Sequence, residues 1–141
     1  MKQSKTIKSY LVLSGLLLSF IGVSSLVMPV EMKATGGIDL SGGNVNALNE
    51  ARAYSALLFA LGLTTITGAF NSKLSYLSTL IPTVVFLSIG SGRLISILSD
   101  GMPVESVIKA TVLEFILGFV GFYLFQKKKV EANQPSFSSS I

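Results

Sequence analysis

The chain has 141 residues, 50% of them apolar and 13% charged, and its mean hydropathy of +0.66 exceeds what a water-soluble domain with one buried core needs. With no Cys and no His, it lacks the thiolates and imidazoles used for zinc, haem, iron–sulfur or disulfide chemistry, and any Cys–His, Ser–His or Thr–His nucleophile pair. The net charge of +4 does not describe a phosphate-binding face, because six of the eleven cations, Lys2, Lys5, Lys8 and Lys127 to Lys129, flank apolar segments in the pattern of membrane topology; no nucleic-acid partner, metal or cofactor is expected.

About 20 apolar residues in a helix cross a hydrocarbon core of about 30 Å, and four stretches qualify. The first covers 10–28 and stops at Pro29. Its basic start and the small residues Val23 and Ser25 resemble a signal peptide cleaved after Ser25. However, the apolar run continues through Leu26, Val27 and Met28, and Gly15, Ser19 and Gly22 have the spacing of a packing face, so a retained helix is expected. From Ala34 to Asn44 the chain is rich in Gly and turn formers, notably Gly36, Gly37, Gly42 and Gly43. This stretch reads as an irregular connector with at most a short turn folded over the helices, rather than as a substrate lid.

The second span covers 51–70, and Ala56, Ala60, Thr64 and Gly68 form a stripe of small residues on it at four-residue intervals. The third covers 74–98 and contains Pro82, which removes a hydrogen bond to the Ser78 carbonyl and predicts a bend. Ser78, Thr79 and Thr83 are the hydroxyls at hand to satisfy freed backbone groups. The fourth covers 103–125, carries Ala110, Thr111, Gly118 and Gly121, and stops at the lysine triplet. Residues 129–141 read as a disordered polar tail.

Short turns make spans two to three and three to four antiparallel. The expected fold is all-α, an integral membrane four-helix bundle with antiparallel neighbours, in a single domain over residues 1–128. The lysines of the two terminal clusters and Lys73 collect on one side if every span crosses, while Glu31, Asp39 and Glu50 against Lys33, and Asp100, face the other, so the positive-inside rule predicts that both termini and Lys73 are cytoplasmic.

A charge within a span is costly unless paired or hydrated, and such side chains normally turn inward. Arg52 opens span two, Arg93 follows Gly90-Ser91-Gly92 near the outer end of span three, and Glu114 lies about ten residues into span four. Around Glu114 the face is small, with Ala110, Thr111, Gly118 and Gly121, so another helix can approach it. An outer-half polar cluster of Arg52, Arg93, Asp100 and Glu114 is predicted, with Arg93 and Glu114 forming an ion pair. The first reading of this cluster is a neutralised network that sets helix register. The second is a site for a small anion or lipid headgroup, with the arginines as ligands and Glu114 as a proton-sensitive gate. Lys109 either contributes or snorkels to the interface, and Glu50 and Glu105 read as helix-start residues.

These stretches also resemble a family of bacterial membrane proteins known as domain of unknown function 4345, from about Tyr10 to Phe125. The similarity is carried by Gly15 to Pro29; by Ala51-Arg52-Ala53-Tyr54 followed by Ala60-Leu61-Gly62-Leu63; by Gly92-Arg93-Leu94-Ile95-Ser96 leading to Asp100-Gly101-Met102-Pro103; and by Leu113-Glu114 with Gly118. Ser55 stands where the family has Gly. The resemblance implies a four-helix inner-membrane protein and brings no reaction, substrate or cofactor. The expected role is therefore a small inner-membrane binding or accessory protein. Its partners would be membrane lipid, a small anion or headgroup, another membrane protein or a second copy of itself. The alternatives are a proton-coupled transporter, or an intramembrane enzyme acting on a lipid or anion through Glu114.

Overall fold

A computed structural model describes residues 4–133, and every regular element among them is helical: α1 (Lys5–Val27), α2 (Pro29–Thr35), α3 (Val45–Phe70), α4 (Ser75–Asp100) and α5 (Glu105–Asn133). Four of these, α1, α3, α4 and α5 over Glu105–Lys127, are long and apolar enough to cross a membrane. The chain is an all-α, multi-pass membrane protein.

Capping explains where the helices depart from the apolar runs. Pro29 ends the first run but also opens α2, where its missing N–H costs nothing at the first helical position. The stretch between the first two spans thus begins with two helical turns, and the irregular connector, expected over 34–44, occupies residues 36–44. Asn44 caps α3 by accepting a hydrogen bond from the Ala47 N–H at 3.1 Å, which starts that helix six residues before the apolar run at Ala51. In the connector, Asp39 accepts from the Ser41 N–H at 2.8 Å. Hydrogen bonds from the Ser41 side chain and backbone hold the Asp39 carboxyl below its ordinary pKa. At the other end, α5 runs through the lysines to Asn133. The first part of the segment read as a polar tail is therefore helical, and residues 134–141 lie outside the described residues.

α1 packs chiefly on α3, α4 on α5, and α3 on α4, with α1 also touching α4 and α5. The α1–α3 crossing is close because small residues face backbone. A Cβ on Gly15 would stand 2.9 Å from the Gly62 carbonyl oxygen, one on Gly22 would strike the Phe59 backbone, and one on Gly62 would strike Ser19. This is the packing mode available where lipid supplies no hydrophobic drive between helices. The buried face of α3 is Ala51, Ser55, Leu58, Gly62, Thr65, Gly68 and Ala69, with three- and four-residue steps alternating from Ala51 to Thr65. The expected stripe of Ala56, Ala60, Thr64 and Gly68 is not that face, since its first three members are exposed. At 3.6 residues per turn, strict four-residue steps drift about 40° each, so the stripe spirals off the contact and only Gly68 reaches it. Ser55, by contrast, fits the crossing by donating its hydroxyl to the Ala51 carbonyl at 2.6 Å.

α4 is continuous through Pro82. Thr79 and Thr83 turn their hydroxyls back to the carbonyls of Ser75 and Thr79, both at 2.7 Å, while Ser78 reaches across to the Thr64 carbonyl of α3 at 3.3 Å. The hydroxyls near Pro82 thus serve their own helix and its neighbour. Lower down, Tyr10 donates to the Leu117 carbonyl at 3.1 Å, and Tyr76 stacks on Phe125 at 4.6 Å between ring centroids. These contacts tie the end of the molecule that carries Lys5, Lys8, Lys73 and Lys127.

Candidate functional site

The opposite end is built around the α4–α5 hairpin. Gly101 closes α4 at φ 100°, a conformation that favours glycine, and returns the chain for α5 to run antiparallel to α4. This reversal brings Arg93, seven residues before the end of α4, beside Glu114, nine residues after the start of α5. At ~1.5 Å per residue they lie about 10 Å and 14 Å along their helices from the turn. The Arg93 Nη2 to Glu114 Oε1 distance is 3.3 Å, with the side chains 33% and 13% exposed. Arg93 Nη1 also donates to the Val107 carbonyl at 3.4 Å. Glu114 Oε2 is buried and has no hydrogen-bond partner, so the pair is neutral in charge and incomplete in hydrogen bonding.

The other two predicted members stand apart. Arg52 is exposed on the drifting stripe of α3, on the side of Ala56 and Ala60, for the geometric reason that takes those residues off the contact. Asp100 is exposed at the helix end and accepts the Ser96 hydroxyl at 2.8 Å. Lys109 pairs with Glu105 at 2.7 Å, both side chains being mostly exposed, in keeping with a lysine reaching for the interface.

Beside the ion pair is a cavity of about 510 Å³ between α1, α3, α4 and α5. Its roof is α2 with the start of the connector: Met32, Lys33, Thr35, Gly36 and Ile38 all line it. The roof is held by the Ser106 hydroxyl at the start of α5, which donates to the Thr35 carbonyl at 2.6 Å. Leu18, Leu58 and Phe86, all buried, form its floor, and Arg93, Glu114 and Tyr54 stand in its walls. Lys33 lies with its Nζ 5.5 Å from the centre of the Tyr54 ring, a cation–π contact.

Lys33 and Tyr54 are the site residues that sequence reasoning missed. Pro29 at a first helical position was the available signal, since a helix starting there carries Lys33 back over the ends of the other helices. Among the described residues no group of His, Cys, Asp or Glu is arranged to hold a metal ion.

The chain matches no curated protein and no solved structure. A family model described as Domain of unknown function (DUF4345) matches residues 6–125, most of the chain and nearly all of its four long helices, and the chain belongs to that family.

Proposed function

We propose that this is a small protein of the bacterial inner membrane, with both termini cytoplasmic, that works by binding a membrane-derived molecule or small anion in the cavity under α2. The observation that carries this reading is the cavity itself. Its volume falls within the few hundred to a thousand Å³ of ligand sites, and its apolar lining holds a few convergent polar groups. Arg93 and Glu114 are its polar wall, and Arg52 and Asp100 are outside it. The orientation is supported by charge: Lys2, Lys5, Lys8, Lys73 and Lys127 to Lys129 flank one end of the spans, whereas at the other end Lys33, Arg52 and Lys109 are outnumbered by Glu31, Asp39, Glu50, Asp100 and Glu105. The cavity then opens toward the outer leaflet.

The test is extraction and mass spectrometry of whatever co-purifies with the protein from its own membranes, for the native chain and for Ala110→Trp, which fills the cavity from α5. A bound species in stoichiometric amount that disappears in the variant is the expected result. An empty native protein that also binds no added anion or amphiphile, or the same species retained by Ala110→Trp, overturns the reading.

A second reading is favoured by one atom, the unpartnered Glu114 Oε2. A buried carboxylate oxygen without a hydrogen-bond donor is a natural proton acceptor, as a proton-coupled transporter requires. Proton flux in proteoliposomes that is abolished by Glu114→Gln would support transport, and flux unchanged by it would reject that role.

A further inference from the structure

Three observations together narrow what the cavity accepts. The first is charge. Three ionised side chains line the cavity, Lys33, Arg93 and Glu114; Arg93 and Glu114 cancel one another at 3.3 Å. Lys33 has a ring for a neighbour and no carboxylate within salt-bridge distance among the described residues. The lining therefore carries one uncompensated positive charge, and that charge is in the roof.

The second observation is polarity along the cavity. The roof is at the membrane-surface end, whereas the floor of Leu18, Leu58 and Phe86 is deep and apolar. Leu18 is nine residues from the end of α1, about 14 Å at ~1.5 Å per residue. A ligand that satisfies both ends has a charged head near the interface and an apolar part directed toward mid-membrane. The paired Arg93 and Glu114 offer an anionic head no net charge deeper in the wall, which leaves Lys33 as the charge that holds it.

The third observation is volume. At a liquid share of about 30 Å³ per water-sized unit, the 510 Å³ cavity takes roughly 17 such units. That is the scale of one alkyl chain with a compact head. A two-chain phospholipid has more than twice as many heavy atoms as the cavity takes.

We propose that the cavity binds a single-chain, monoanionic amphiphile, its anionic head on Lys33 beneath α2 and its chain on the floor formed by Leu18, Leu58 and Phe86. This rests on the reading of the cavity as a ligand site and adds the ligand's chemistry. A fatty-acid carboxylate and a lysophospholipid phosphate share that chemistry.

The experiment uses the full chain in phosphatidylcholine nanodiscs, with empty discs as the blank. Four probes are titrated and bound ligand is measured after gel filtration: dodecanoate, a lysophosphatidylglycerol, dodecyltrimethylammonium and inorganic phosphate. The expected result is saturable, one-to-one binding of dodecanoate, lysophosphatidylglycerol or both, and the tighter of the two identifies carboxylate or phosphate as the natural head. Phosphate without a chain and the cationic amphiphile should each bind at least tenfold more weakly. Lys33→Glu, in the roof and outside the spanning helices, should weaken the anionic probes at least tenfold, and Lys33→Arg should restore them.

Equal or tighter binding of dodecyltrimethylammonium, binding of phosphate as tight as that of the chained anions, or indifference to Lys33→Glu would each overturn the proposal. If the co-purified species is lost in Ala110→Trp but is cationic or two-chained, the ligand-site reading survives and this inference fails. If nothing co-purifies and no probe binds, both fail.

Discussion

Arg93 and Glu114 stand 10 to 14 Å along their helices from the α4–α5 turn, at a depth where an isolated charge is expensive, and each makes the other tolerable. Removing one partner of a buried pair leaves the other uncompensated, a loss of about 3–5 kcal/mol, whereas removing both can cost far less. Arg93→Leu and Glu114→Leu should each destabilise the protein on that scale, and the double variant should recover part of the loss in thermal or denaturant unfolding in detergent. Strictly additive losses would show that the two side chains do not act as a pair. This contact was legible in the sequence because a short turn makes α4 and α5 antiparallel, and two charges at comparable distances from that turn have to meet. Arg52 was misjudged because its neighbours Ala56 and Ala60 look like a packing face only if four-residue steps are taken as straight. Lys33 was read only as a loop charge and not as a site residue for another reason: its role depends on where α2 lies over the other helices, a tertiary fact with no local periodicity behind it.

At the scale of elements, the α1–α3 crossing depends on backbone approaching backbone. Gly62 meets Ser19 and the Gly15 carbonyl with no room for a Cβ. Gly62→Leu should therefore force α1 and α3 apart, costing about 1–3 kcal/mol or more by overpacking, and should lower the unfolding temperature. Ala56→Leu, on the exposed stripe of the same helix, should leave it nearly unchanged. Equal effects would mean that the face of α3 has been misassigned. The long helices were readable from hydropathy alone, since length and apolarity are all that crossing requires. Their ends were less so, because caps override composition: Asn44 extends α3 back from its apolar run, and Pro29 both stops one helix and starts another. The lysines after Phe125 end the apolar stretch without ending the helix, since lysine is a good helix former. Ending the chain after Lys129 should leave insertion and thermal stability unchanged, because the spanning part of α5 stops at Lys127. A marked loss of either would show that the residues beyond Lys129 hold the other helices together.

For the whole molecule, one asymmetry organises everything else. The lysine-rich end is closed by Tyr10 on Leu117 and Tyr76 on Phe125, whereas the other end carries a cavity roofed by α2 and held by the Ser106 hydroxyl. Its positive charge belongs to the roof, and Leu18 in its apolar floor lies about 14 Å along α1 from that helix's end, a profile suited to an amphiphile entering from that end. Orientation, cavity and ligand can be read together because the native chain has no Cys. Ala110→Cys places a single thiol in the cavity wall, where a small membrane-impermeant methanethiosulfonate can find it. The account predicts modification when the reagent is applied to the outer face of spheroplasts, protection by saturating dodecanoate or lysophosphatidylglycerol, and no modification from the cytoplasmic face of inverted vesicles. Modification from the cytoplasmic face alone, or outer-face modification indifferent to both amphiphiles, would contradict it.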